Sequence, residues 1–203
     1  MKIKNTLEIM LHNAINSGNE KLAIEIVNSN PNIDVNYNFK ERIPIFSAFK
    51  KNMINLAEVI INHPKWDYAL EDFGESFFHV LIYIYDCNNE SYLDGVIKKL
   101  IKSILKKNIS LILNHTDINE DTVLNVVCQS SSKTLWVAKE LIKLDCVDVN
   151  IVNDANCTAL TNAIKNKNIE MIKLLAKRKD LVVRDFDKET AENIGINLKE
   201  YLK

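Results

Sequence analysis

Four histidines, His12, His63, His79 and His115, and four cysteines, Cys87, Cys128, Cys146 and Cys157, are the residues of this 203-residue chain best suited to chemistry. An imidazole moves protons or binds metals near neutral pH, and a thiolate attacks carbon or holds zinc. Each needs a partner at the right distance. No two cysteines stand at C-x-x-C spacing, and the histidines are isolated. H-E-x-x-H, G-x-S-x-G and a phosphate-cradling glycine loop are all missing. Cys128 or Cys157 would become a nucleophile only if the fold brought a histidine to it. The reading at this level is no catalytic residue, no metal ligand set, no cofactor and no enzyme. The cysteines fit a reducing compartment without disulfides, with Cys128 as a small hydrophobe in an apolar helical run.

The surrounding elements read as helices. Apolar residues make up 47% of the chain and charged residues 26%, while only four glycines and three prolines are present, too few breakers for an all-β chain. The net charge of −1 gives no bulk attraction to nucleic acid or to anionic lipid. No apolar run is long enough to span a bilayer, and no secretory leader is read after Lys2 and Lys4. Asn, Lys and Ile are abundant, the usage of an AT-rich genome.

The clearest stretch runs from Asp148 to Ala176. Asp148-Val149-Asn150 leads into a polar loop, and Thr158-Ala159-Leu160 opens a helix with Thr158 as its cap. Asn166-Lys167-Asn168 makes a corner. Ile169, Met171, Ile172, Leu174 and Leu175 then line a second helix. Neither helix can bury its apolar side alone, so a similar unit must stack on each side. Weaker copies follow from the rest of the chain. Ile43-Pro44-Ile45-Phe46-Ser47-Ala48-Phe49 opens one, Gly74-Glu75-Ser76-Phe77-Phe78-His79-Val80-Leu81 another, and Thr122-Val123-Leu124-Asn125 a fourth.

This pattern resembles the ankyrin repeat: D-V-N, a D-x-x-G turn, T-P-L-H-x-A-A, a G-H corner and V-V-x-x-L-L. Thr161 stands for the usual His and Asn156 for the usual turn Gly, and Asn tolerates the left-handed conformation better than most residues. His79 occupies the place of the family's structural histidine. The resemblance implies an all-α solenoid of helix pairs with short β-hairpin fingers. It covers one domain, 1–203, in about six units: 1–36, 37–69, 70–113, 114–150, 151–183 and 184–203. The ends are caps, the last with short polar helices from Ala191 to Leu202. The opening residues of successive copies, Ile43, Ser76, Thr122 and Thr158, are 33, 46 and 36 apart. The surplus lies in the third unit, whose second helix is expected from about Ser91 to Lys107. Its run from Val96 to Lys107 is amphipathic and basic. It could lie on a membrane surface, but its register continues the repeat, with lysines turned to water.

In ankyrin proteins partners dock on the side made by finger tips and first helices. Mapped onto this chain, the finger positions are Phe39, Lys40 and Arg42, then Asp72, Phe73 and Glu75, then Ile118, Asn119 and Asp121. The helix positions are Lys50 and Lys51, Tyr83 and Ile84, Gln129 and Ser130, and Lys165 and Asn166. Phe39 and Phe73 could anchor a partner or fold down onto neighbouring fingers. The implied function is protein–protein recognition by a cytoplasmic, monomeric scaffold, with another protein as partner and no nucleic acid or integral membrane association. The alternative is an effector secreted into a host cytosol, or a regulatory module, reaching a membrane or an enzyme through the inserted helix.

Overall fold

Each copy of the unit begins where the chain provides for the free N–H groups of a helix start. Pro44 sits in the first turn of α3 (Pro44–Lys50), where the missing donor does no harm. Thr122 accepts from the Asn125 N–H at the start of α8 (Val123–Gln129). Thr158 and Thr161 form a reciprocal capping box at α10 (Ala159–Lys165). Asn19 and Asn168 cap α2 (Glu20–Ser29) and α11 (Ile169–Leu175) singly, accepting from the Leu22 and Met171 N–H groups.

The computed structural model describes residues 5–40, 42–67, 70–72, 75–87, 91–107, 110–130 and 132–202. The chain divides into two compact units, one of Met1–Asp72 and Glu90–Leu100, the other of Phe73–Asn89 and Ile101–Lys203. In the first unit, α1 (Thr6–Asn16) packs on α2 and α3, and α2 packs on α4 (Ile54–Ile61). Two inner and two outer helices therefore stack in register over a core that includes Leu11, Ile15, Val35, Ile45, Leu56 and Ile60.

In the second unit the inner row is α5 (Phe77–Cys87), α8, α10 and α12 (Asp185–Asn193), each touching the next. The outer row pairs α9 (Leu135–Leu141) with α11. Phe78, Leu81, Val127, Leu160, Ile164 and Leu175 are among its buried side chains. The one-turn helix α7 (Ser110–Leu113) precedes the fourth finger. The long helix α6 (Ser91–Lys107) has the expected bounds, and the division between units falls within it. Two-residue strands, β1 (Glu71–Asp72) and β2 (Glu75–Ser76), lie before α5.

The architecture is an all-α array of helix pairs. It differs from expectation at the last copy, where the helix starts at Asp185 rather than Ala191, because Arg184 and Asp187 cap it there. After α12 only a 3₁₀ turn, Leu198–Glu200, follows.

Two backbone devices recur. The corner between paired helices is left-handed at Gly18, Asn52 and Lys167, with φ of 79°, 57° and 53°. Only the first is the residue such a corner favours. The finger turns repeat this at Glu120 and Asn156, both at 58°. The asparagine expected to replace glycine at position 156 does so, and a glutamate does the same one copy earlier.

The second device is an asparagine clamp. Asn36 donates to the Lys65 carbonyl and accepts from the Asp67 N–H. Asn114 donates to Cys146 O at 2.7 Å and accepts from Asp148 N at 2.8 Å. Asn150 holds Asp180 O and Val182 N, both at 2.8 Å. One amide thus satisfies a carbonyl and an N–H of the following copy, which would otherwise face each other unpaired.

Two stability changes follow. Asn150→Ala removes two hydrogen bonds and is expected to lower the unfolding free energy by about 1–2 kcal/mol in urea titration. Lys167→Gly relieves a left-handed side chain and is expected to raise it by about 0.5–1 kcal/mol.

Candidate binding face

The fingers are built from short hydrogen-bonded loops. In the first unit, Phe39 N–H donates to the Arg42 carbonyl at 3.0 Å and Arg42 N–H donates back at 3.2 Å. Lys40 takes φ 54° between them. Phe39 is half-buried, tilted against His12 with ring centroids 5.5 Å apart and lying near-parallel to Tyr37 at 6.5 Å. Lys40 places Nζ 5.4 Å from the Phe39 ring centre. Lys40, Arg42, Lys50 and Lys51 are exposed.

His12, which the sequence left isolated, stands at the position in α1 that His79 holds in α5. Its Nε2 bonds the Tyr37 carbonyl at 2.8 Å. Burial lowers its pKa most, the Tyr37 carbonyl acts the other way, and the Arg42 charge lowers it further.

In the second unit the finger before α8 closes around Asp117. Asp117 N–H donates to Asp121 O at 2.9 Å, and the Asp117 carboxylate accepts from the N–H groups of Asn119 and Asp121, each at 2.9 Å. Tyr83 donates its hydroxyl to the second carboxylate oxygen at 2.9 Å. Ile118, Asn119 and Glu120 are left at the tip, with Ile118 69% exposed. Asp121 turns inward. It is 6% exposed, and its carboxylate accepts from Gln129 Nε2 at 2.8 Å and Asn153 Nδ2 at 2.7 Å. Its carbonyl bonds His79 Nε2 at 3.0 Å. The expectation of Asp121 on an outer face is therefore corrected: the next copy supplies Asn153 to cover it.

The following finger repeats this loop with Asn153 in place of Asp117. Asn153 N–H donates to Cys157 O at 2.9 Å, and the Cys157 N–H donates to Asn153 Oδ1 at 2.8 Å. At the last copy Thr161 Oγ donates to the fully buried Asp187 carboxylate, which also accepts from the Arg184 N–H at 2.9 Å.

The remaining expected residues fall into two groups. Tyr83 and Ile84 are half-buried, and Ser130 bonds the Val126 carbonyl of its own helix at 2.8 Å. Gln129, Lys165 and Asn166 are exposed, but Gln129 is held by Asp121 and Asn166 donates to Cys128 O and Asn162 O. Phe73 lies outside the described residues, as do the side chains of Asp72 and Glu75.

No set of three metal-binding side chains occurs among the described residues. His79 has both ring nitrogens engaged, by Asp121 O and by Ser76 Oγ at 2.8 Å. Burial outweighs the Asp117 charge and brings its pKa down to about 4. Cys128 is fully buried and burial pushes its thiol upward. Lys165 Nζ, and not a histidine, approaches Cys157 Sγ, at 2.9 Å. In α6 the apolar stripe of Ile97, Leu100, Ile101, Ile104 and Leu105 is buried, and Lys99, Lys102 and Lys106 face outward. No helix among the described residues is long and apolar enough to cross a membrane.

The repeated inner-helix side chain reaching the next finger, with a left-handed turn two residues before each capping threonine, agrees with one further finding. A family model described as ankyrin repeats, in three copies, matches residues 87–185. That part of the chain is similar to an ankyrin-repeat array.

Ankyrin repeats are protein–protein interaction modules, typically without catalytic activity. No curated protein matches the chain. Among solved structures, the chain is similar to a chain in the complex of the predatory endopeptidase Bd0816 from Bdellovibrio bacteriovorus with the immunity protein Bd3460. The identity is 20%, the match covers 84% of this chain and 98% of that one, and the TM-score is 0.44.

The His79 site makes stability depend on pH. The folded state keeps this ring neutral down to about pH 4, while the unfolded chain takes up a proton near 6.5. Stability from this group is present above pH 6.5 and lost as pH falls toward 4, by up to about 3 kcal/mol. His79→Gln is expected to flatten the stability profile in that window, measured by urea unfolding at stepped pH.

Proposed function

We propose that this protein is a non-catalytic recognition module that holds another protein against its finger tips and inner helices. One observation carries the reading. The polar residues with catalytic chemistry in and beneath the finger, Asp117, Asp121 and His79 of α5, are taken up by internal hydrogen bonds. The residues left outward are instead interface types: Ile118 and Asn119 at one tip, a cationic set in the first unit, and Lys165 on α10, which stays exposed although its Nζ reaches Cys157 Sγ. Tyr83 and Asp121 serve this face indirectly, by fixing the loop that presents Ile118. The membrane version of the alternative draws no support from α6, whose apolar stripe is already covered.

Ile118→Asp combined with Lys165→Glu changes two outward side chains of the second unit. Partner capture from native lysate, compared side by side with the unaltered chain, is expected to fall at least about tenfold while the unfolding curve stays put. Undiminished capture of the same proteins would remove the second unit's face from the proposal.

A further inference from the structure

The first unit carries a charge pattern that the general reading leaves unassigned. Helix α3 buries Pro44, Ile45, Phe46, Ala48 and Phe49, so its solvent side comes down to Ser47, Lys50 and the flanking Lys51. At its other end stands the finger with Lys40 and Arg42. Among the described residues no carboxylate makes an ion pair with any of these four cations. The chain as a whole is slightly acidic, so this is a local concentration and not a general basic excess. Some exposed cations elsewhere do find acids, as Lys139 does with Glu170, Lys143 with Glu140 and Lys188 with Asp185, while others, such as Lys102 and Lys106, stand open singly; what sets the first unit apart is that its open cations are grouped on one finger and helix. With Glu41 between Lys40 and Arg42 in the sequence, the finger and helix keep a formal surplus of three positive charges, which an anionic occupant balances.

The aromatic part narrows the occupant. Phe39 gives its ring to the Lys40 ammonium and tilts against His12, and Tyr37 lies alongside. Covered by the Lys40 ammonium and flanked by His12 and Tyr37, the Phe39 ring offers no open pair of faces between which a base could stack. Arg42 precedes α3 and Lys50 ends it, and the six rises of the helix make about 9 Å, so the two side chains spring from backbone positions on the order of 10 Å apart along its axis. An extended peptide covers that distance in about three residues.

We infer that the first unit's finger and inner helix bind an extended acidic segment of a partner protein. It would carry two carboxylates about three residues apart, with an apolar side chain set against Tyr37 and Phe39. One carboxylate meets Arg42, which suits it by its planar fork, and the other meets Lys50 and Lys51. This rests on the recognition reading above and gives the partner a chemical class.

Fluorescence anisotropy with the full chain tests it. The probe is a labelled peptide holding two glutamates three residues apart beside a phenylalanine. Its controls replace both glutamates by glutamine or by lysine, and a single-stranded RNA of similar length is run in parallel. The glutamate peptide is expected to bind at least about tenfold tighter than the glutamine one and to weaken as salt rises. Lys50→Glu with Lys51→Glu is expected to remove that preference, with unchanged thermal unfolding, and Arg42→Gln to reduce it. Equal binding of the glutamate and glutamine peptides, no binding of either, tighter binding of the RNA, or indifference to the lysine changes would overturn the inference. If it falls while the Ile118 and Lys165 variant still loses partner capture, the recognition reading stands and only the acidic class is wrong.

Discussion

One kind of hydrogen bond, repeated, holds successive copies in register within each unit: a buried side chain on an inner helix reaches forward to the next finger or to the start of the next inner helix. His12 bonds Tyr37 O, His79 bonds Asp121 O and Thr161 bonds Asp187. The backbone of a finger is a loop with few neighbours of its own, and a carbonyl buried there without a donor would cost a few kcal/mol. The inner helix supplies that donor, and the asparagine clamp supplies both halves of a second link. Apolar stacking gives most of the free energy, but it is tolerant of sliding. The forward bonds have one geometry, so they fix how far each copy rotates on the last.

The fold was legible because its signals are local. Apolar spacing, the threonine caps and the corner residues each act within a few positions, and together they located the helix pairs and the bounds of the long helix from Ser91 to Lys107. His79 was also legible, since it sits in a near-complete motif. His12 was missed because the motif around it, Ile9-Met10-Leu11-His12, keeps only its leucine and histidine. Lys167 and Glu120 gave no sign of left-handed backbone, since neither type prefers it. The last helix started earlier than expected because an arginine and an aspartate, not a threonine, cap it.

The candidate face was less legible for a physical reason. Whether Asp121 faces a partner or the interior is decided by Asn153, 32 residues later, and by Gln129, eight residues later. Tyr83 depends in the same way on Asp117, 34 residues on. A carboxylate at a finger base and one at a finger tip are the same letter in a sequence. The cations of the first unit were readable as exposed because no carboxylate among the described residues pairs with them.

The forward bonds also give the second unit a direction. Helix α5 offers His79 ahead, α8 offers Asn125 Nδ2 to the Ile151 carbonyl at 3.5 Å and α10 offers Thr161, which the last copy meets with the buried carboxylate of Asp187, held by Arg184. The array therefore has unlike ends, as a growing polymer does. A duplicated copy inserted before Arg184 would find a donor behind it and an acceptor in front. Internal duplication is therefore a way of lengthening that keeps every forward bond of the second unit.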